Sequence, residues 1–567
     1  MPSSLVLLRL AILALPVIAT PTHLKRDRHA KLSKRVDCAA RSLSSSAVSS
    51  NVISPSSTTS GSYDSSDIVA MVSADQQMGY SDSSTSYGLV MTSAATSSSA
   101  AVDPDADPNP IIAFLSNSTS DDSTSLSISL GVDSNDTTAI PSNISSSAGP
   151  AITASTASGN KQVFAHFMVG IVSTYVQSDW VADMTLAKSK GITGFALNIG
   201  VDSYSQAQLD LAYSAAQVVG FNVFISFDFN WWAVSDVSGV ATMLSRYASL
   251  PAQLLVDGRP FVSSFIGDGF DWAAAASQVG RELYAVPYWA PTLENANNPG
   301  LSGLFSWDAW PGQLGNSPTL NNMSASQDEL YLSLLAATNK TYMAPVSPWF
   351  STHFGKEVSY SKNWVFYSEM LWKTRWDQIL SMGSQLDFIE IVTWNDYGES
   401  HYIGPYDTPH TDDGSSKWAS GLDHTAMLDF AVPYIEAFKA GASEPVIKTE
   451  MLVYWYRPHF KSAECDSTDI CGTKPTGWDM LGDDVFVATM TKSGGNVTVT
   501  SGSNTPVTSD VAAGVQIFQV PMGVGTQSFQ FSTNSGQSGT AISNITISAD
   551  CWNGIYNFNY HSGSIVP

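Results

Sequence analysis

The sequence predicts an α/β chain: a (β/α)8 barrel of TIM type over residues 161–442, an all-β sandwich over 443–567, and a disordered Ser/Thr-rich arm ahead of both. Three observations lead there. Residues 42–160 contain no Lys or Arg and are dominated by Ser, Thr, Ala and Asp, with too few apolar side chains to build a core. From Lys161 onward, apolar strand-like runs alternate with amphipathic stretches, the pattern of parallel strands joined by helices. Past Ser443 the helical patterns stop, and short alternating runs broken by Gly, Asn and Ser take over.

At the N-terminus, residues 1–20 place Arg9 before an apolar run, 10–19, that ends in small residues. This is a signal-peptide pattern, and the run is too short to span a bilayer. No later stretch is long and apolar enough for a transmembrane helix, and the C-terminal residues lack the hydrophobic tail of a lipid-anchor signal. A secreted protein, extracellular or associated with a cell wall, is expected. Residues 21–160 form the arm, whose dibasic pairs Lys25-Arg26 and Lys34-Arg35 are either trimming sites or ordinary basic residues. Sequons at Asn322, Asn339, Asn496 and Asn544 suit a secreted glycoprotein. Four cysteines fit an oxidising compartment and allow three pairings, and closeness in sequence favours Cys465 with Cys471. A net charge of −24 and a pI of about 4.5 argue against nucleic acid or an anionic membrane as partner. A neutral polysaccharide is compatible with that charge, and nothing demands more than a monomer.

The eight barrel strands are expected at 163–169, 194–200, 222–229, 260–267, 283–289, 303–307, 342–349 and 386–394, with helices at 179–190, 205–219, 326–338 and 361–382. Periodicity also permits an open doubly wound sheet. Against that, no Gly-x-Gly-x-x-Gly follows the first strand, and a Gly-rich phosphate loop is missing. In the sandwich, strands are expected at 449–456, 484–491, 496–500, 514–520, 528–531 and 543–548. Its role is either polysaccharide binding or support of the barrel, support being the plainer reading.

Barrel active sites form at the C-terminal ends of the strands, so the polar residues ending the apolar runs are the candidates. Strand three ends in Asp228 and Asn230 ahead of Trp231-Trp232, strand four in Asp268, strand six in Asp308, and strand eight in Trp394-Asn395-Asp396-Tyr397-Gly398-Glu399. Carboxylates thus converge on one rim beside aromatics. Glycoside hydrolysis needs this combination: one carboxyl gives a proton, another activates water or attacks carbon, and burial against aromatics keeps the acid protonated. Thirteen of the sixteen tryptophans fall between residues 180 and 418, where their faces could stack on sugar rings.

Each residue has a plainer alternative. An Asp after a strand commonly caps a helix, which competes at Asp268 and Asp308, and a strand-end Trp is as often core as sugar platform. Asp396 and Glu399 differ, because two acids three residues apart repel when partly buried, a cost that a purely structural loop has no reason to bear. The expected catalytic residues are Asp396, Glu399 and Asp228. The expected substrate-binding residues are Trp231, Asn230, Trp394, Asn395, Tyr397, His401, Asp308, Trp289 and His166, the last being either a core histidine or part of the pocket floor. His166, His353, His401, His410 and His424 show no metal-ligand spacing, and no Gly-x-Ser-x-Gly elbow marks a serine hydrolase. Neither a metal nor a cofactor is expected.

These residues also carry a family resemblance. The segments Val-Phe-Ala-His-Phe-Met-Val-Gly (163–170), Gly-Phe-Ala-Leu-Asn-Ile-Gly (194–200), Phe-Ile-Ser-Phe-Asp-Phe-Asn (224–230) and Trp-Asn-Asp-Tyr-Gly-Glu-Ser-His-Tyr-Ile-Gly-Pro (394–405) resemble glycoside hydrolase family 71, the fungal α-1,3-glucanases or mutanases. The likeness runs from about Lys161 to the C-terminus and includes Tyr-Trp-Tyr-Arg-Pro-His (454–459). It implies a barrel plus β-sandwich, endo-type hydrolysis of α-1,3-glucan with inversion, and catalytic roles for Asp396 and Glu399 with Asp228 assisting. Within that scheme Glu399 is the expected acid, Asp396 the base for the attacking water, and Asp228 shapes charge at the scissile sugar. Inversion requires the two carboxyls ~6.5–9.5 Å apart, retention ~5–5.5 Å. Two further readings stand beside it: a wall protein that holds glucan without cutting it, and a barrel glycosidase acting on another α-linked polysaccharide.

Overall fold

The apolar runs become strands β1 (Gln162–Met168), β2 (Gly194–Ile199), β3 (Asn222–Asp228), β4 (Leu255–Val256), β5 (Arg259–Phe265), β6 (Tyr284–Ala285), β7 (Gly303–Phe305), β8 (Thr341–Val346) and β11 (Phe388–Ile391). They form one curled sheet in the order β4-β5-β3-β2-β1-β11-β8-β7, with β6 alongside β5. All pairings are parallel except β4 with β5. This computed structural model describes residues 161–567 apart from 314–316, 356–360 and 470–472. The expected signal peptide, the arm and Cys471 lie outside the described residues.

The strands are buried on both faces, which is why they read as continuous apolar runs rather than alternating ones. One face sends Phe164, Ala196, Phe224, Phe261, Tyr284, Phe305, Met343 and Phe388 into a single cluster, one residue from each long or paired parallel strand. The rings of Phe261 on β5 and Phe388 on β11 meet at 5.3 Å although β3, β2 and β1 lie between those strands, so the sheet is strongly curled. A parallel bridge joins Tyr288, just past β6, to Phe305 of β7. The other face packs against helices Gln177–Ser189, Ser205–Val219, Val237–Tyr247, Trp272–Val279, Ser326–Ala336, Leu371–Ser381 and Ala426–Ala440. Asp236 and Asp271 cap two of these through bonds from Gly239 N and Ala274 N. No described helix is long and apolar enough to cross a membrane.

The helix expected over 361–382 is overturned in its first part. Strand β10 (Lys362–Val365) pairs antiparallel with β9 (Ser351–Phe354), and the helix starts only at Leu371. The aromatic and β-branched run Trp364-Val365-Phe366 fits a pleated hairpin better than a helical turn. This hairpin reaches into the site described below.

The C-terminal region contains two four-stranded antiparallel sheets. One is formed by β12 (Met451–Tyr456), β13 (Asp484–Thr491), β16 (Gly514–Pro521) and β19 (His561–Ile565). The other is formed by β14 (Gly495–Ser501), β15 (Val507–Val511), β17 (Gly525–Thr533) and β18 (Ser538–Ile547). Their facing residues, among them Leu452, Val487, Val497, Phe531 and Ile565, make one core, with Tyr454 stacked on Phe529 at 3.9 Å. On the opposite face of the first sheet, Val453, Trp455, Phe486, Ala488 and Met490 join the large core that also holds helix Ala426–Ala440. The two regions therefore share a continuous apolar interior.

The expected Cys465–Cys471 bridge is corrected: Cys465 is bonded to Cys551, 86 residues away, with Cα atoms 5.8 Å apart. Closeness in sequence misled because segments around 463–465 and 551–558 fold onto one small apolar cluster with Leu481. Closing so long a loop is worth about 2–4 kcal/mol. Cys551→Ala and Cys465→Ala are each expected to lower the thermal unfolding midpoint by several degrees, and the double variant by no more than either alone. A double variant much less stable than both singles in a calorimetric comparison would refute this pairing.

Candidate active site

Past β11 the chain folds back over the end of β1. Trp394 N donates to His166 O at 2.7 Å. Asn395 then mimics a strand partner: its Oδ1 accepts Met168 N at 2.7 Å and its Nδ2 donates to Met168 O at 3.2 Å. Asn395, expected to bind substrate, thus spends its amide on the backbone and fixes the position of the residue that follows. Asp396 N donates to Thr393 Oγ1 at 2.9 Å, and Glu399 N donates to Asp396 Oδ1 at 3.0 Å, closing a tight turn. Gly398 packs closely in that turn: a Cβ there would stand 3.0 Å from Asp413 Oδ2 and 3.3 Å from Phe354.

Glu399 is fully buried at 0% exposure. Its Oε1 accepts Lys362 Nζ from β10 at 2.5 Å, and its Oε2 faces His401 Nε2 at 3.0 Å. His401 Nδ1 lies 3.2 Å from Thr393 Oγ1. That oxygen also accepts Asp396 N, so Thr393 ties the turn's backbone to His401. Both Glu399 oxygens therefore face nitrogens, an ammonium on one side and an imidazole on the other. Asp396, Glu399 and His401 each place one polar atom within 4.8 Å of the others, a spacing a metal ion could use. Here the ammonium of Lys362 brings positive charge to that cluster.

Asp396 is the member that reaches the open: it lines a narrow cleft with Met168, Tyr397, Thr411, Asp413 and Ser415. Asp228 ends β3, is 2% exposed, and accepts Asn230 N at 2.9 Å. Four residues beyond Phe224, it projects to the same inner face. Two strands, β2 and β1, lie between β3, which carries Asp228, and β11, which leads into the Asp396 loop.

The other expected residues divide clearly. Asn230 is exposed and Trp231 half-buried at the rim, whereas the neighbouring Trp232 is built into the wall, its indole donating to Ile199 O and Gly200 O. Tyr397 lines the cleft and donates to Pro405 O. Trp289 and Trp394 are core residues, Trp394 against Phe195 at 5.0 Å with Gly404 pressed on its indole. Asp308 has its carboxyl pushed up to about 7 by burial, and the charges it feels are Arg375 and Asp328 rather than the cleft acids. Asp268 holds a loop by accepting Ala290 N and Asn295 Nδ2. His166 is buried with its Nδ1 2.6 Å from Glu390 Oε1 and its ring edge-on to Trp307, two residues below Met168. Sequence reasoning missed Lys362, Thr393 and Glu390. Only Thr393, beside the acids, offered a signal.

The outer side of the loop is held by the C-terminal region. His424, its pKa pushed down to about 4 by burial, sits with its ring nitrogens 2.8 Å from Tyr402 O and from Tyr560 O, donating its single N–H to one of them, and stacks on the Tyr402 ring at 3.8 Å. Asn559 Nδ2 donates to Tyr402 OH, and Asn557 Nδ2 to Trp418 O.

The sequence profile described as Glycosyl hydrolase family 71 matches residues 159–567. The chain belongs to this family. Among curated relatives, a mutanase of Penicillium rubens is 46% identical over 73% of this chain and 93% of its own length. A glucan endo-1,3-α-glucosidase of Schizosaccharomyces pombe is 39% identical over 71% of this chain and 94% of that protein. An ascus wall endo-1,3-α-glucanase of the same yeast is 33% identical over 64% and 86%. In this family 71 member, Asp396 of the 394–405 segment lines the cleft and Glu399 lies buried behind it.

Two outcomes follow for the family 71 site. Trp394→Ala is expected to cost about 3–5 kcal/mol of stability as a core truncation, while Trp231→Ala changes stability little and raises KM. Denaturant melts and initial-rate kinetics on both variants separate the roles. Burial also pushes Asp183, Asp308 and Glu369 up to about 7. Unfolded carboxyls titrate near ~4, so the native chain holds extra protons between those values, and stability falls as pH rises from about 4 to about 7. The unfolding midpoint should be higher at pH 5 than at pH 8, and Asp308→Asn should flatten that slope.

Proposed function

We propose that this chain is an endo-acting hydrolase of α-1,3-glucan that works by inversion, with Asp228 and Asp396 as the opposed carboxyl pair. The observation that carries the pairing is the gap between Asp396 and Glu399. Their nearest oxygens lie within 4.8 Å on one turn, below the ~6.5–9.5 Å that inversion requires for a water and a sugar between them. Glu399, expected as the acid, is fully buried with both oxygens facing nitrogens, so the role assignment shifts to Asp228 at the end of β3.

In this scheme Asp228, flanked by buried Phe227 and Phe229, is the acid. It donates to the glycosidic oxygen as the bond to the anomeric carbon breaks. Asp396, which receives Glu399 N, takes a proton from the water that attacks the opposite face of that carbon. Trp231 and Asn230 on the rim and Tyr397 in the cleft contact the sugars. The relatives named for α-1,3-glucan cleavage support the linkage.

The same reading extends to the rest of the chain. The Tyr288–Phe305 bridge and the Phe261–Phe388 contact support closure of the sheet as a (β/α)8 barrel. The Cys465–Cys551 bridge and exposed sequon residues Asn322, Asn339 and Asn544 support secretion. We read the working form as a monomer whose partner is the polysaccharide.

Proton NMR of the first product released from α-1,3-glucan tests the mechanism: inversion gives the β anomer before mutarotation. An α anomer first would favour the second reading, retention by the close Asp396–Glu399 pair. On a panel with α-1,4-glucan and α-mannan, only the α-1,3 polymer should yield oligosaccharides. Asp228→Asn, Asp396→Asn and Glu399→Gln should each lower kcat by ~10²-fold or more in folded protein.

A further inference from the structure

We propose that the inner face of the curled sheet carries a sugar-binding floor beneath the cleft: Asn198, Trp307 and the His166–Glu390 pair hold hydroxyls of the glucose unit at the scissile bond. The inference rests on the α-1,3-glucan reading above.

Side chains alternate across a strand, so residues two positions apart share a face. Two positions beyond the apolar cluster of the inner face, that face turns polar at His166, Asn198, Ser226, Ser263, Trp307 and Glu390, all of them buried. One further step along β3 is Asp228. Four atoms of this layer have no hydrogen-bond partner among the described residues: His166 Nε2, Asn198 Oδ1, Trp307 Nε1 and Glu390 Oε2. An interior that only fills space takes apolar side chains, and each unmet buried polar atom destabilises the fold. Four of them in one layer, at the end of the sheet that carries the acids, point to a ligand that meets them.

The layer reaches from the Asp396 side of the sheet to Asp228. Asn198 on β2 is paired with Met168 of β1, which lines the cleft beside Asp396, and with Ser226 of β3, two residues before Asp228. His166 Nδ1 is 2.6 Å from Glu390 Oε1, and its ring centre lies 4.7 Å from that of Trp307. Trp307 in turn meets Phe265 at 5.0 Å, and Phe265 is paired with Asp228. The unmet atoms differ in kind, since Asn198 Oδ1 only accepts and Trp307 Nε1 only donates. A sugar hydroxyl is neutral and does both, so one pyranose ring satisfies the mixture. In a low-dielectric enclosure such bonds are stronger than in water. Met168 stands between the cleft and Asn198, and Asn395 pins only its backbone, so its unbranched thioether chain yields to admit the sugar.

The test pairs kinetics with stability for Asn198→Leu, which keeps the branched shape and removes the unmet oxygen. On α-1,3-glucan, kcat/KM should fall ~10-fold or more, because a site built to bond a hydroxyl loses its acceptor. The thermal unfolding midpoint should stay level or rise, because the free protein no longer buries an unpaired polar atom. A structural asparagine would move both the other way, so kcat/KM within ~3-fold of wild type, or a midpoint lowered by several degrees, overturns the proposal. If N198L does not fold, Trp307→Phe removes the indole N–H instead, and folded W307F with kcat/KM within ~3-fold of wild type overturns the proposal. Wild type inactive on α-1,3-glucan would refute the substrate reading instead, and the same comparison is then run on whichever panel polymer it cleaves.

Discussion

A buried carboxylate with no water to solvate it must be paired, and that requirement organises much of this molecule. Glu399 sits at the centre of the loop carrying Asp396, fully enclosed. Meeting its charge takes an ammonium from β10 and an imidazole from its own loop. Delivering Lys362 takes a hairpin inserted between β8 and the next helix. Holding that hairpin takes contacts to Asp469, Thr473 and Thr476 of the C-terminal region. One electrostatic demand therefore runs from the cleft to the outer sheets.

Those outer sheets are consequently part of the site rather than an appendage. The first sheet shares a core with helix Ala426–Ala440 on one face and with the second sheet on the other. Its last strand is preceded by Asn557, Asn559 and Tyr560, which bond to Trp418, Tyr402 and His424 around the acid-bearing loop. This favours the reading of the β region as support, which shapes the loop's outer wall while the sheet ends shape its inner one.

How much of this was legible depended on whether a signal lay within one stretch of chain. The strands were readable because burial on both faces leaves unbroken apolar runs. Asp396 and Glu399 were readable because repulsion between neighbouring acids needs a reason. The side a strand-end tryptophan faces was not readable, since one residue of register moves it from cleft to core: Trp231 stays at the rim while Trp289 and Trp394 are enclosed. Lys362 was invisible, being 37 residues from its partner and inside a run that scans as helix. Cys551 was hidden in the same way by its 86-residue separation from Cys465.

The bond from Asn559 to Tyr402 spans 157 residues of sequence. During synthesis the loop with Asp396 and Glu399 emerges long before the residues that clamp its outer side. The newborn chain carries the acids before it carries the residues that close the loop's outer side, so the geometry of that loop is completed only once the last strand has been made and docked.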